Sequence, residues 1–541
     1  MSNDPLNQPS SAEHDHLLVK AQQYYSKKDY IQAQKICRTI VNENPTHKVA
    51  LYLLALCQLY SGHQNEAATT LKKLVKCYPK HINGLVLLSK IYLNLGDHLQ
   101  STQNARQALE LNVKDDRVLA LLAGIFGNSE DHYSAKIAYK RAIQINPDNA
   151  THRCNYASIL RIEGRIDESI NTLEKCIELD ANNCKAHLIL SSLKRQTRKD
   201  NHVQRLTQVR DNPKINSEGK MLINFALSNE YEDIGEYKRS FDHLSQACSS
   251  KRKSIQYDFE KDKLQFRQLE DLFDSAYIRK NSDSGYTDYA PVFVVGMPRT
   301  GSTLIEQILG ANKKLFAAGE LSTFGNEITS LFQNQTDQTL DFSMLDSLEV
   351  NYHELGRNYV NKSMAFINSA RHKSAFDSSI TFIDKMPQNF LYIGFILLAL
   401  PNAKIIVTEK GAMDTCLSNF KQLYNDPFYQ FSYQLDELGK YFIEYHRLMR
   451  HWKSLFGRRL FILNYEKFVN SPELNAEKIF KYCALTWRND YLDYARQVEH
   501  VATASATQIR NAIHNNSVHR WKKYQRQLSP LAAQLYRAEL L

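Results

Sequence analysis

Gly296 and Gly301 enclose four residues and are followed directly by Ser302 and Thr303. This is the spacing of loops whose backbone N–H groups cradle phosphate, with Ser302 in the place where such loops carry lysine. Glycine lets the backbone approach an anion closely, and a helix leaving the loop adds the positive end of its dipole. Without the lysine nothing in the usual place reaches β- and γ-phosphates, which argues against a nucleotide triphosphatase. The loop has a cation of its own in Arg299, inside the string Met297-Pro298-Arg299-Thr300-Gly301. Further along, Glu320, Lys385 and Lys410 each stand at the end of a short apolar run. By residue type alone these three read as ordinary solvated surface; their order after an anion-binding loop makes them candidates.

The elements that must position these residues are short strands, each followed by a helix. The β-branched and aromatic run Val292 to Val295 predicts a strand and Leu304 to Leu309 the helix behind the loop. Ser379 to Asp384 predicts a second strand ending in Lys385, with Pro387 opening an apolar helix. The apolar run Phe390 to Leu400 is too short to span a bilayer and is expected as a buried helix. Lys404 to Lys410 predicts another strand, with a helix beginning at Asp414, and Arg459 to Glu466 a further buried strand whose Tyr465 and Glu466 are expected to pack or orient.

The string PVFVVGMPRTGSTLIEQIL resembles the 5′-phosphosulfate loop of the sulfotransferases that use 3′-phosphoadenosine 5′-phosphosulfate (PAPS). The branch most like it carries tetratricopeptide repeats; the tyrosylprotein sulfotransferases are more distant. The resemblance runs from about Pro291 to the C-terminus. It implies a P-loop-like α/β domain with a central parallel sheet, holding PAPS through Pro298, Arg299, Thr300, Gly301, Ser302 and Thr303 on the 5′ side. It implies Glu320 as general base, Lys385 as donor to the oxygen bridging sulfuryl group and leaving phosphate, and Arg299 as a third catalytic residue. On the 3′-phosphate side the family carries a strand-end arginine and a serine eight residues later. Ser418 keeps its place, whereas the family's Arg-Asp-Pro stands here as Lys410-Gly411-Ala412, preceded by Glu409. Lysine supplies charge without the planar two-pronged contact of a guanidinium, and Glu409 is expected to repel a phosphate. Near the C-terminus the family's Ser-x-x-Gln-x-Arg and Ser-x-x-Arg-Trp are matched by Ser505 to Arg510 and Ser517 to Trp521, which implies Ser505, Arg510 and Arg520 at the cofactor. No metal is implied, because protein cations take the place that magnesium has in kinases.

The first half of the chain repeats itself. Pro45 and Pro79 lie 34 positions apart, and Gly62, Gly96 and Gly164 fall on the same step with Glu130 in the missing place. Ala33, Ala67, Ser101, Ala135 and Ser169 do likewise. A turn glycine, a small residue where two helices touch and a proline after the second helix, at this period, make the tetratricopeptide signature of a helical solenoid. A shortened unit is expected at 182–199 and a divergent one around Gly235. The boundaries that follow are a disordered start over 1–12, repeats over 13–250, a helical junction and linker over 251–288, and the α/β domain over 289–541. The fold class is therefore α plus α/β.

At 541 residues, with 43% apolar and 23% charged residues, the chain is globular and too long for one ordinary core. Its net charge of +10 is modest, and no basic and aromatic tract points to nucleic acid. Nine cysteines without metal-ligand spacing fit reduced thiols, and the first residues have no apolar core of a signal peptide, so a cytoplasmic protein without a membrane span is expected. Two functions remain open. One is a sulfotransferase acting on a hydroxyl of a protein tyrosine, glycan or small molecule, with the repeats either recognising a protein or shaping the entrance. The other is a repeat scaffold whose sulfotransferase-like half is weakened.

Overall fold

A computed structural model describes residues 11–335, 350–370, 377, 379–424, 426–496, 513 and 515–541 of the chain. The chain divides into two compact units, residues 1–159 with 365–375, and residues 160–364 with 376–541.

In the first unit antiparallel helix pairs follow one another, as in Lys48–Tyr60 with Gln64–Cys77 and Asp116–Asn128 with His132–Ile145. The repeat period has a backbone cause. A residue in the turn between the two helices of each pair adopts a left-handed conformation, with φ of 86° at Gly62 and 76° at Gly96. Glu130, in the place where glycine is missing, takes the same conformation with φ 59°. The residue after it caps the second helix: Asp97 and Asp131 accept from Gln100 N and Ser134 N at 3.0 Å each. The small residues of the period, Ala33, Ala67, Ser101 and Ala135, are wholly buried where the paired helices meet.

The second unit contains the shortened helix Cys184–Leu193, the long hairpin Ser217–Asp233 with Tyr237–Lys253, and a five-stranded sheet. The strands are β1 Val292–Gly296, β2 Leu315–Ala317, β3 Thr381–Asp384, β4 Lys404–Glu409 and β5 Leu460–Asn464. Their order is β2-β3-β1-β4-β5, and every pairing is parallel. Parallel strands covered on both faces are apolar throughout, which is why β1 is buried at all five positions. Chain order turns back between β1 and β4, the place where open parallel sheets form a crevice at the carboxyl ends of their strands.

β3 stops at Asp384 and β4 at Glu409, so Lys385 and Lys410 lie one residue beyond the strands expected to contain them. The helix expected from Asp414 begins at Ala412. The apolar run after Pro387 is buried as expected, but its first turn, Pro387–Tyr392, is a 3-10 helix that gives way to an α-helix at Ile393–Ala399. Among the described residues no helix is long and apolar enough to cross a membrane, and no group of three or more His, Cys, Asp or Glu is placed to hold a metal ion.

Candidate active site

All five strands deliver a residue of interest at the same edge of the sheet. β1 runs into the glycine loop, β2 leads to Glu320, β3 to Lys385, β4 to Lys410 and β5 to Tyr465.

The loop is held by contacts to β4 and to the helix that follows it. Gly296 lies so close to β4 that a Cβ there would sit 2.5 Å from the Thr408 carbonyl oxygen. The Thr300 hydroxyl lies 2.7 Å from that of Thr408 and donates to the Met297 carbonyl at 2.7 Å. The Pro298 carbonyl accepts from Asn419 Nδ2 at 2.9 Å. Arg299 is half-buried with φ 69°, a left-handed conformation that residues other than glycine seldom adopt and that clusters at ligand-binding loops. Gly301, φ 97°, precedes the helix Ser302–Gly310, whose N-terminus carries no side-chain cap. Ser302 and Thr303 in its first turn are buried.

Gly301 is also where the loop meets β5, since a Cβ there would fall 2.5 Å from Tyr465 Cδ2. Gly301→Ala is therefore expected to cost about 1–3 kcal/mol for the backbone conformation alone. A melting curve would show a lower Tm, and titration with an adenosine bisphosphate would show lost binding; unchanged binding would mean that the loop tolerates a shift without losing its shape.

Lys410 lies with its ammonium 5.0 Å from the centre of the Tyr465 ring. Burial pushes its pKa down to about 8, Asp414 and Glu466 pull it up, and Arg299 and Arg520 push it down further. Arg299 is pushed down by burial and by Arg520 as well. Three cations from three separate segments thus repel one another across this end of the sheet, and an anion between them relieves the repulsion. Burial raises the pKa of Glu409, the residue before Lys410, and Lys453 pulls it down.

Lys385 is fully buried, its backbone N–H donates to the Gly319 carbonyl at 2.9 Å, and its ammonium is ion-paired with Glu320. The Glu320 side chain is 38% exposed. The turn before it is oriented by Glu306, buried on the loop's own helix, whose Oε1 accepts from Gly319 N at 2.8 Å.

Ser418 is half-buried on the helix Ala412–Phe420, two turns from Lys410. Arg520 makes a two-pronged ion pair with Glu232, Nε to Oε1 at 3.0 Å and Nη2 to Oε2 at 2.6 Å. Ser505 and Arg510 lie outside the described residues.

Several residues that position the site carry no motif. Thr408 and Asn419 tie the loop to β4 and to the helix after it. Tyr424 donates to Asn419 Oδ1 at 2.7 Å. Glu466, one of the two residues expected from the sequence to pack or orient, accepts through Oε1 from Gly411 N at 2.8 Å. Asp414 accepts from two backbone amides, His519 N at 2.6 Å and Trp521 N at 3.0 Å. An acidic residue in the first turn of a helix is the one local sign that Asp414 gave.

Residues 291–489 match the family model described as the sulfotransferase family. Residues 82–114, 116–149 and 153–183 match the tetratricopeptide repeat, and residues 5–74 match a model of anaphase-promoting complex (cyclosome) subunit 3. A stretch of 340 residues is 27% identical to an uncharacterized protein of Aquifex aeolicus (strain VF5), covering 61% of this chain and 43% of that protein. The chain thus spans less than half the length of this relative. Among solved structures, MamA is 19% identical with a TM-score of 0.28, covering 30% of this chain and 96% of its own. YrrB, described as a TPR protein with an unusual peptide-binding site, is 12% identical with a TM-score of 0.27, covering 40% of this chain and 91% of its own. The chain carries a sulfotransferase-family domain together with tetratricopeptide repeats.

Proposed function

We propose that the protein transfers a sulfuryl group from PAPS to a hydroxyl acceptor. The observation that supports this most is that Arg299 of the glycine loop, Lys410, 5.0 Å from the Tyr465 ring that packs on Gly301, and Arg520 act on one another electrostatically. In this reading the loop amides of residues 300–303 and Arg299 hold the 5′-phosphosulfate, and Lys410 with Ser418 holds the 3′-phosphate. The acceptor oxygen forms its bond to sulfur as the bond from sulfur to the bridging phosphate oxygen breaks. Glu320 takes the acceptor's proton, and Lys385 donates to the oxygen that leaves. Their ion pair keeps both groups at one place until donor and acceptor compete for them. A protein tyrosine, a glycan or a small alcohol are the acceptor classes, and a peptide held on the repeat helices suits the first of these.

The test is direct. The full chain is melted with and without 3′,5′-adenosine bisphosphate (PAP), the desulfated product, and incubated with labelled PAPS and acceptor extracts, beside Arg299→Ala and Glu320→Ala. Binding to the folded state must raise Tm, by about 2.7 kcal/mol of stability at a hundred times Kd. No shift at millimolar PAP would replace this reading by that of a repeat scaffold, which the Lys410-Gly411-Ala412 segment favours. Transfer that survives both substitutions would refute the roles of Arg299 and Glu320.

A pH dependence follows from the depressed Lys410. In the folded chain it loses its proton at about pH 8 instead of its ordinary 10.5, so the unfolded chain binds more protons between these values. Its contribution to stability therefore rises with pH across that window. Anion binding runs the other way, because it needs the charged form: PAP affinity is expected to fall about tenfold from pH 7 to pH 9. Calorimetric titration at the two values checks this, and Lys410→Arg, always charged, should flatten the profile.

A further inference from the structure

We propose that Glu232 is a positioning residue for the donor, so that the helical hairpin Ser217–Asp233 with Tyr237–Lys253 completes the anion site. The inference rests on the donor reading above and extends it to a segment outside the sulfotransferase-family match, which covers residues 291–489.

Glu232 lies one residue from the end of the first hairpin helix and is buried. A carboxylate there must be paired, and two cations meet it: Arg520 through the two-pronged contact and Lys421 through its ammonium. These partners outweigh the cost of burial and hold its pKa down to about 2. Asp233, next in the chain, acts on both cations as well, so two carboxylates face two cations here. The geometry leaves donors over: Arg520 spends Nε and one hydrogen of Nη2 on Glu232, and a guanidinium has five N–H groups.

The backbone around Arg520 is fixed from the other side. The amides of His519 and Trp521, flanking it, both donate to Asp414, on the helix that carries Ser418 and directly follows Lys410. Four residues on, Tyr524 is wholly buried with its hydroxyl 3.1 Å from that of Ser240 on the second hairpin helix. Its ring packs against Tyr237 and Phe241 with centroids 5.6 and 5.9 Å apart. Segment 519–524 is therefore clamped between the helix Ala412–Phe420 and the hairpin, and Glu232 sets where the guanidinium points. The charge so placed acts on both Arg299 and Lys410.

The experiment uses the full chain and PAP as probe, measuring Kd by calorimetry, Tm by melting, and kcat and donor KM by label transfer. Glu232→Gln keeps an acceptor but loses the charge that orients Arg520. It is expected to weaken PAP about tenfold and raise donor KM accordingly, with kcat at saturating donor within about twofold. Glu232→Asp should recover part of the affinity, a rescue that a merely structural contact would not give. Should Glu232→Gln fail to fold because Lys421 is left buried without its partner, Glu232→Gln with Lys421→Met removes both charges and carries the same expectation. Lys421→Met alone should bind PAP as the wild type does. Unchanged PAP affinity in a folded Glu232 variant overturns the inference while the donor reading stands. Tighter binding also overturns it, since the carboxylate would then be competing with the ligand for Arg520. A wild type that does not bind PAP removes the donor reading itself and the inference with it.

Discussion

Lys385→Met is expected to lower kcat for sulfuryl transfer by about 10²–10³-fold, with donor KM and Tm close to wild type, and to weaken PAP, whose 5′-phosphate already carries the charge of the leaving oxygen. The side chain is fully buried just past the end of β3, where methionine matches its length and suits an apolar wall better than an ammonium does. Removing the lysine leaves Glu320 without its partner, but that carboxylate is 38% exposed and returns to water at little cost. The ground state is therefore barely disturbed. What is lost is a fixed positive charge aimed at the leaving oxygen, whose negative charge grows only as the bond to sulfur breaks. An interaction made only at that point appears in kcat and not in donor binding. Steady-state kinetics with PAPS varied separates the two as kcat against donor KM; a kcat within about threefold of wild type would remove Lys385 from the chemistry.

The chemistry-bearing residues were legible in the sequence because each follows a short apolar strand, and parallel strands bring their carboxyl ends to one edge of a sheet. Arg299 lies inside the loop motif, whereas Glu320, Lys385 and Lys410 became candidates through their order after that loop and the resemblance to the sulfotransferases. The repeats were legible for a different reason: a 34-residue step repeats one backbone requirement, and Glu130 shows that the requirement is the left-handed turn and not glycine itself. The partners that orient the site were not legible. Asn419 reaches back to Pro298, Asp414 forward to His519 and Trp521, and Glu232 across to Arg520 and Lys421. None of these pairs has a spacing that periodicity reports, and each residue type alone reads as a solvated face or a helix end. Arg520 shows how far local reading goes. The resemblance of its Ser-x-x-Arg-Trp string to the sulfotransferases implies a phosphate contact, and nothing nearby in sequence announces that a carboxylate nearly three hundred residues earlier holds it.

Glu320 presents the reverse asymmetry. Glu320→Gln is expected to lower kcat by about 10²–10⁴-fold, because an amide cannot take the acceptor's proton. Its carbonyl still accepts from the Lys385 ammonium, so Tm should change little. Glu320→Ala takes away that acceptor too and leaves a wholly buried ammonium unpaired, which costs several kcal/mol when one partner of a buried pair is removed. Its Tm should fall well below that of Glu320→Gln, while both bind the acceptor-independent probe PAP. Adding Lys385→Met to Glu320→Ala removes the stranded charge and should restore Tm without restoring activity. The three melting curves distinguish a carboxylate that serves chemistry from one that serves the fold. If Glu320→Gln transfers sulfuryl groups at the wild-type rate, the proton goes elsewhere and Glu320 only shields Lys385.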